Sequence, residues 1–141
     1  MFKLDLMLFF PKSNFIIELT KKIKYNKPME QNNQEKLDLI KKSFELKRQK
    51  KYKEAIEVLY KVLEYQNELK DNLEIISQLG DLYALIGNYD RALDQYQKAL
   101  SIQGNNEYNL QQCFDIYFKT NQLNKALKIA SKMCEANFTT Q

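Results

Sequence analysis

From Lys36 to the C-terminus, apolar residues recur at the three- and four-residue spacing of helices that bury one face, and turn residues interrupt the pattern at a steady interval. Laying Ala55, Ala92 and Ala126 over one another aligns KKYKEAIEVLYKVL (50–63), GNYDRALDQYQKAL (87–100) and NQLNKALKIASKMC (121–134). The stretches before them, LDLIKKSFELKRQ, EIISQLGDLYALI and NLQQCFDIYFKT, fall into register as well. Each unit therefore predicts a helix, a short turn and a second helix. Subtracting residue numbers places Ala126 34 residues after Ala92, and Ala92 37 after Ala55, with the extra residues near 68–72. An interval of this size is the mark of a helical solenoid.

Residues 1–35 follow a different pattern and read as an N-terminal extension and linker ahead of a repeat domain over 36–141. Phe2, Leu4, Leu6, Leu8 and Phe10 alternate as in a strand, while Phe2, Leu6, Phe9 and Phe10 also fit a short helix stripe, and periodicity leaves both open. Ser13 or Asn14 can cap a helix carrying Phe15, Ile16, Leu19 and Ile23 on one side. NKPMEQNNQ (26–34) reads as linker, because Pro28 and the polar run are poor helix material. Targeting by residues 1–25 stays open: Asp5 breaks the apolar run of a secretory signal, and the segment lacks the arginines of a mitochondrial one.

Small residues carry the next inference. Glycine inside a helix costs about 1 kcal/mol relative to alanine, so Gly80 implies close approach of a neighbouring helix, matched by Ala92 and Ala99. Gly87-Asn88 and Asn121 suit a left-handed helix stop. Unit one has Lys50-Lys51 there, which predicts a looser turn. Phe114 takes the place that Gly80 holds in the middle unit, which sets the helix spacing of unit three apart. Tyr52, Tyr83, Tyr89, Tyr96 and Tyr117 fall on positions that pack between helices, with their hydroxyls reaching the rim, and Met133 and Cys134 read as packing residues too.

Composition narrows the chemistry. With Gly 3 and Pro 2 in 141 residues, an all-β fold lacks its turn residues. His 0 removes imidazole triads and most zinc sites, and no nucleophile sits beside a base in a recognisable motif. No catalysis, metal or cofactor is expected. Cys113 and Cys134 are too few and too far apart for a disulfide scaffold, and read as reduced, semi-buried thiols. No stretch is long enough for a membrane span. The net charge of +4 is mild, and the one dense basic run, Lys47 to Lys53, straddles a predicted helix C-terminus, where cations offset the dipole.

The period and the middle unit resemble the tetratricopeptide repeat family. Leu79, Gly80, Tyr83, Gly87, Tyr89, Ala92, Tyr96 and Ala99 stand where its pattern wants large, small, aromatic, turn, aromatic, small, aromatic and small residues. The resemblance implies an all-α, right-handed α-solenoid of three repeats at about 36–69, 73–106 and 107–140. It further implies that the first helices line a concave groove. Helical spacing puts Leu37, Ile40, Phe44, Lys47, Glu74, Ser77, Asp81, Ala84, Tyr108, Gln111, Asp115 and Phe118 on that side. Glu74, Asp81 and Asp115 would repel a terminal carboxylate, so a carboxylate clamp for chaperone tails is not expected.

The implied function is a noncatalytic interaction module or scaffold subunit. Its partners would be proteins of a multi-subunit complex inside the cell, in the cytoplasm, at a cilium or on the cytoskeleton. The alternative is an RNA-binding helical-repeat protein using Lys47 to Lys53. Both ends of the stack are expected to lack polar caps, leaving Leu8, Leu127 and Met133 as end contacts for self-association or a partner.

Overall fold

A computed structural model describes residues 29–65 and 72–138. Among them run six α-helices: α1 (Met29–Arg48), α2 (Tyr52–Glu64), α3 (Leu73–Leu85), α4 (Tyr89–Ile102), α5 (Glu107–Lys119) and α6 (Leu123–Phe138). They form three helix-turn-helix pairs, so the described chain is an all-α solenoid. The chain divides into two compact units, Met1–Leu37 and Asp38–Gln141; the second holds α1 from Asp38 onward and all of α2 to α6. Leu8 and residues 66–71 lie outside the described residues.

α1 begins at Met29, so residues 29–34 are helix and not linker. Glu30, Gln31, Gln34 and Glu35 are good helix formers by residue type.

The small-residue register builds the core. Ala55, Ala92, Ala99 and Ala126 are buried, with Leu59, Val62, Leu79, Tyr96, Leu110 and Cys113 packed among them. Burying one such large apolar side chain contributes about 1.5–3 kcal/mol. A Cβ placed on Gly80 would stand 2.5 Å from Cε1 of Tyr96. Glycine is therefore the complement of the tyrosine across the α3–α4 pair. In the third pair, alignment puts Phe114 in the place of Gly80 and Ala130 in the place of Tyr96, so the large and small partners change sides. Phe114 is half-buried against the core and stacks on Phe118, their centroids 6.0 Å apart. Ser43 and Leu59, both buried, hold the same two positions in the first pair.

All three turns close alike. Lys51 N–H donates to Leu46 O at 2.9 Å, Asn88 N–H to Tyr83 O at 2.9 Å and Gln122 N–H to Tyr117 O at 2.8 Å. Each is joined by a second bond from the residue before it: Lys50 to Lys47, Gly87 to Ala84 and Asn121 to Phe118. These are left-handed helix stops, with φ of 60° at Lys50, 77° at Gly87 and 59° at Asn121. The first turn is not the looser one expected from Lys50-Lys51. The two backbone bonds hold the lysine in a conformation usually left to glycine or asparagine.

The two ends differ. On α1, Asp38 and Lys42 are exposed where alignment puts Ile75 and Leu79 in repeat two, and Asn109 and Cys113 in repeat three, all buried. The first repeat thus carries charge at two positions where the others carry core. On α6, Leu123 and Leu127 are exposed, Leu127 at 67%, while Ala130 and Met133 are half-buried. Cys134 is exposed and is not a packing residue, whereas Cys113 is wholly buried.

Candidate functional site

The first helices of the three pairs, α1, α3 and α5, bring Lys47, Asp81, Ala84, Leu85, Tyr108, Gln112, Asp115 and Lys119 to one hollow of about 420 Å³, with Tyr89, Tyr96 and Ile116 at its floor. Asp81 is its polar centre. Its Oδ1 accepts hydrogen bonds from Tyr96 at 2.6 Å and from Tyr108 at 2.7 Å. Burial, and then the bond to Asp81, push both phenols well above their ordinary range, so both remain donors. The Tyr108 bond spans α3 and α5 and separates this hollow from a second of about 320 Å³, lined by Leu73, Glu74, Ser77, Gln78, Asp81, Asn106 and Tyr108. Asn106 accepts a bond from the Asn109 N–H and starts α5, which fixes Tyr108 in the first turn.

Charge along this surface alternates. Glu74, Asp81 and Asp115 are acidic, with Lys47 at one side and Lys119, whose Nζ lies 5.1 Å from the Tyr89 ring centroid, at the other. Of the groove residues expected from helical spacing, Lys47, Ser77, Asp81 and Tyr108 line the hollows, as do Glu74, Ala84 and Asp115. Gln111 instead donates to Asp115 Oδ1 at 2.8 Å. Phe44 and Phe118 are exposed at 51% and 63% and stand one helical turn from Lys47 and Asp115, outside the lining. Ile40 is half-buried against the core, and Leu37 is exposed at the end of the first unit. Spacing missed Gln112 and Lys119, because 108, 111, 115, 118 and 108, 112, 115, 119 are equally good helical stripes. It missed Leu85 for the same reason.

The basic run is arranged as helix chemistry. Lys47 and Arg48 end α1, and Arg48 pairs with Glu45 at 2.8 Å. The pair is exposed, and hydrogen bonds from the Gln49 and then the Arg48 side chain hold the Glu45 carboxyl below its ordinary range. Lys50, Lys51, Tyr52 and Lys53 edge a depression of about 300 Å³ with Ile86. Among the described residues no cluster of three or more Cys, Asp or Glu could hold a metal ion, and no helix is long and apolar enough to cross a membrane.

Comparison with known proteins agrees with this architecture. Residues 44–104 match the family model described as tetratricopeptide repeat. That stretch is similar to the tetratricopeptide repeat family, whose members are in general protein-interaction modules. Its fold is similar to that in the crystal structure of MamA, with a TM-score of 0.66 and 18% identity over 74% of this chain. The aligned region spans 60% of the MamA chain. No curated protein sequence matches the chain.

Proposed function

We propose that this protein is a noncatalytic scaffold subunit that seats a segment of a protein partner in the groove between α1, α3 and α5. The observation that supports this reading most is the Asp81 centre: a carboxylate fixed by two tyrosine hydroxyls, with Asp115 beside it and the exposed apolar groups of Leu85 and Tyr108 around it. A carboxylate held this way needs no reorganisation to accept a further donor. The chemistry suits an amphipathic helix or extended segment that places a lysine or arginine over Asp81 and Asp115, and large apolar side chains toward Leu85, Phe44 and Phe118. The exposed Leu123 and Leu127 on α6, with Met133, give the same subunit a second contact within a multi-subunit assembly. The three-repeat part after the N-terminal extension is the binding domain.

Panning a displayed peptide library over the full chain tests the groove. Enriched peptides are expected to carry Lys or Arg within a turn of a large apolar residue, and to lose about tenfold or more in affinity on Asp115→Lys, with smaller losses on Phe44→Ala and Phe118→Ala. Enrichment of acidic peptides, or indifference to Asp115→Lys, defeats the reading.

A further inference from the structure

We propose that the cleft between α4 and α6, on the side away from the groove, is a second binding site, and that it takes an acidic peptide segment of a protein partner. The cleft is about 490 Å³ and is lined by Gln97, Leu100, Ser101, Tyr117, Lys125, Lys128, Ile129 and Lys132. Three lysines on one face of α6 look across at an amide and a hydroxyl on α4. Lys125 is held over the Tyr117 ring, 5.5 Å from its centroid, and donates to Gln122 Oε1 at 2.8 Å. Gln97 Nε2 donates to the Tyr117 hydroxyl at 2.9 Å. Asp94 and Glu135 each stand three residues along from a lining residue, and neither lines the cleft.

The repeat itself supplies the control. Alignment puts Tyr60, Leu63, Glu64, Tyr83, Arg91, Asp94, Gln95 and Lys98 at the same eight positions between α2 and α4. The architecture there is the same. Arg91 lies 5.7 Å from the Tyr83 ring centroid and donates to its hydroxyl at 3.3 Å, as Lys125 sits over Tyr117. The Tyr60 hydroxyl meets that of Tyr83 at 3.2 Å, as Gln97 meets Tyr117. The charges differ. In the α2–α4 positions Glu64 and Asp94 balance Arg91 and Lys98, whereas in the α4–α6 cleft Ser101 and Lys128 replace both acids. Packing alone does not call for that change, since all four positions stay solvent-accessible in one cleft or the other. Three ammonium groups close together repel one another, and a bound anion relieves that repulsion. The half-buried Leu100 and Ile129 provide an apolar seat, so the ligand best matched has carboxylates flanking an apolar side chain.

The probe is a fluorescent nonapeptide of repeated Glu-Glu-Leu, titrated into the full chain at low ionic strength, beside its Gln-Gln-Leu counterpart and an oligouridylate of equal charge. Saturable binding of the acidic peptide is expected, at least about tenfold tighter than the neutral one and weakening as salt shortens the screening length. Ser101→Glu with Lys128→Asp, which rebuilds the balanced set of the second repeat, should cost about tenfold or more with the helical circular dichroism signal unchanged. Asp115→Lys in the groove should leave it intact. Conversely, Glu64→Ser with Asp94→Lys should raise the stoichiometry from one peptide to two. Absence of saturable binding overturns the proposal, as does equal binding of the neutral peptide or indifference to the Ser101 and Lys128 changes. Tighter binding of the oligouridylate through the same lysines makes the site one for nucleic acid and also overturns it.

Discussion

Repeats two and three share one backbone plan and fill it in opposite ways. In the second, glycine on the first helix meets tyrosine on the second, and Tyr96 is wholly buried. In the third, phenylalanine on the first helix faces an alanine position on the second. By residue type the large member of the pair is exchanged between the two helices, the kind of compensation by which a close-packed interior tolerates divergence. The outer surfaces differ in consequence. α5 covers the outer side of the second repeat, where Leu93 is buried, whereas the aligned Leu127 of the third is exposed. Repeat two is built as an interior unit, and repeat three as one with a surface to offer.

The largest effect should follow from breaking the Gly80–Tyr96 match. Gly80→Leu drives a branched side chain into the Tyr96 ring, and a loss of about 3 kcal/mol or more is expected in urea or thermal unfolding. Gly80→Phe combined with Tyr96→Ala transplants the third repeat's arrangement and should recover much of that loss. The recovery cannot be complete, because the bond from Tyr96 to Asp81 goes with the ring. If the double variant is no better than Gly80→Phe alone, the two residues are not complementary partners.

How much of this was legible in the sequence follows from where the signal lies. Ala55, Ala92 and Ala126 revealed three helix pairs because small residues are required wherever helices cross closely. The Phe114 exchange could be seen as a departure but not resolved, since its compensation by Ala130 lies sixteen residues on, on another helix. The start of α1 was hidden by a polar run with no apolar stripe, although its residue types favour helix. Lys50 gave no sign of its positive φ, because lysine has no preference for the left-handed region and the bonds that cap the helix there are made by backbone groups of any residue type. The cleft lysines were plain as charges, but their convergence depends on which residues of α4 face α6.

Alkaline pH should separate the buried thiol of repeat three from the exposed one. Burial pushes the Cys113 thiol up to about 11, and burial together with the bond to Tyr83 pushes the Tyr60 phenol up to about 12. Both groups are neutral when protonated and ionise more readily in the unfolded chain. Their stabilising contribution is therefore whole below their ordinary ranges, near pH 9 for the thiol and pH 10 for the phenol, and declines as pH rises toward the folded values. The urea midpoint should hold steady from neutrality to about pH 8.5 and fall above it. Cys113→Ala should remove the first part of that fall. At neutral pH a thiol reagent should modify Cys134 at once and Cys113 only on unfolding.

A smaller effect is expected at Asn109, where repeat three buries an amide in the place of Ile75. Its Nδ2 donates to Asn106 Oδ1 at 2.8 Å, but its Oδ1 is buried without a partner. Asn109→Ile removes that orphaned acceptor and keeps the cap, because the bond from the Asn109 N–H to Asn106 is made by the backbone. A gain of about 1 kcal/mol is expected. A loss in the unfolding midpoint would mean that the amide is satisfied in solution.

The finest comparison sets the turn of repeat one against that of repeat two. Lys50 and Gly87 occupy the same position with nearly the same positive φ, yet one carries a Cβ and a long charged side chain. A left-handed conformation costs a residue with a Cβ about 1–2 kcal/mol. Part of any gain on changing it to glycine is offset by the greater freedom of glycine in the unfolded chain. Lys50→Gly should therefore stabilise by about 0.5–1 kcal/mol, while Gly87→Ala should destabilise by about the same amount. A Cβ on Gly87 meets nothing within 4 Å, so the second change reports backbone conformation without a steric clash. Lys50→Gly also removes one charge from the Lys47 to Lys53 run, and Lys50→Asn serves as the companion variant, since asparagine tolerates the left-handed region as Asn121 does. Equal stabilisation by both variants, independent of salt, assigns the strain to the backbone. A gain that disappears at high ionic strength assigns it instead to repulsion within the lysine run, and the three turns would then be equivalent in conformation but not in cost.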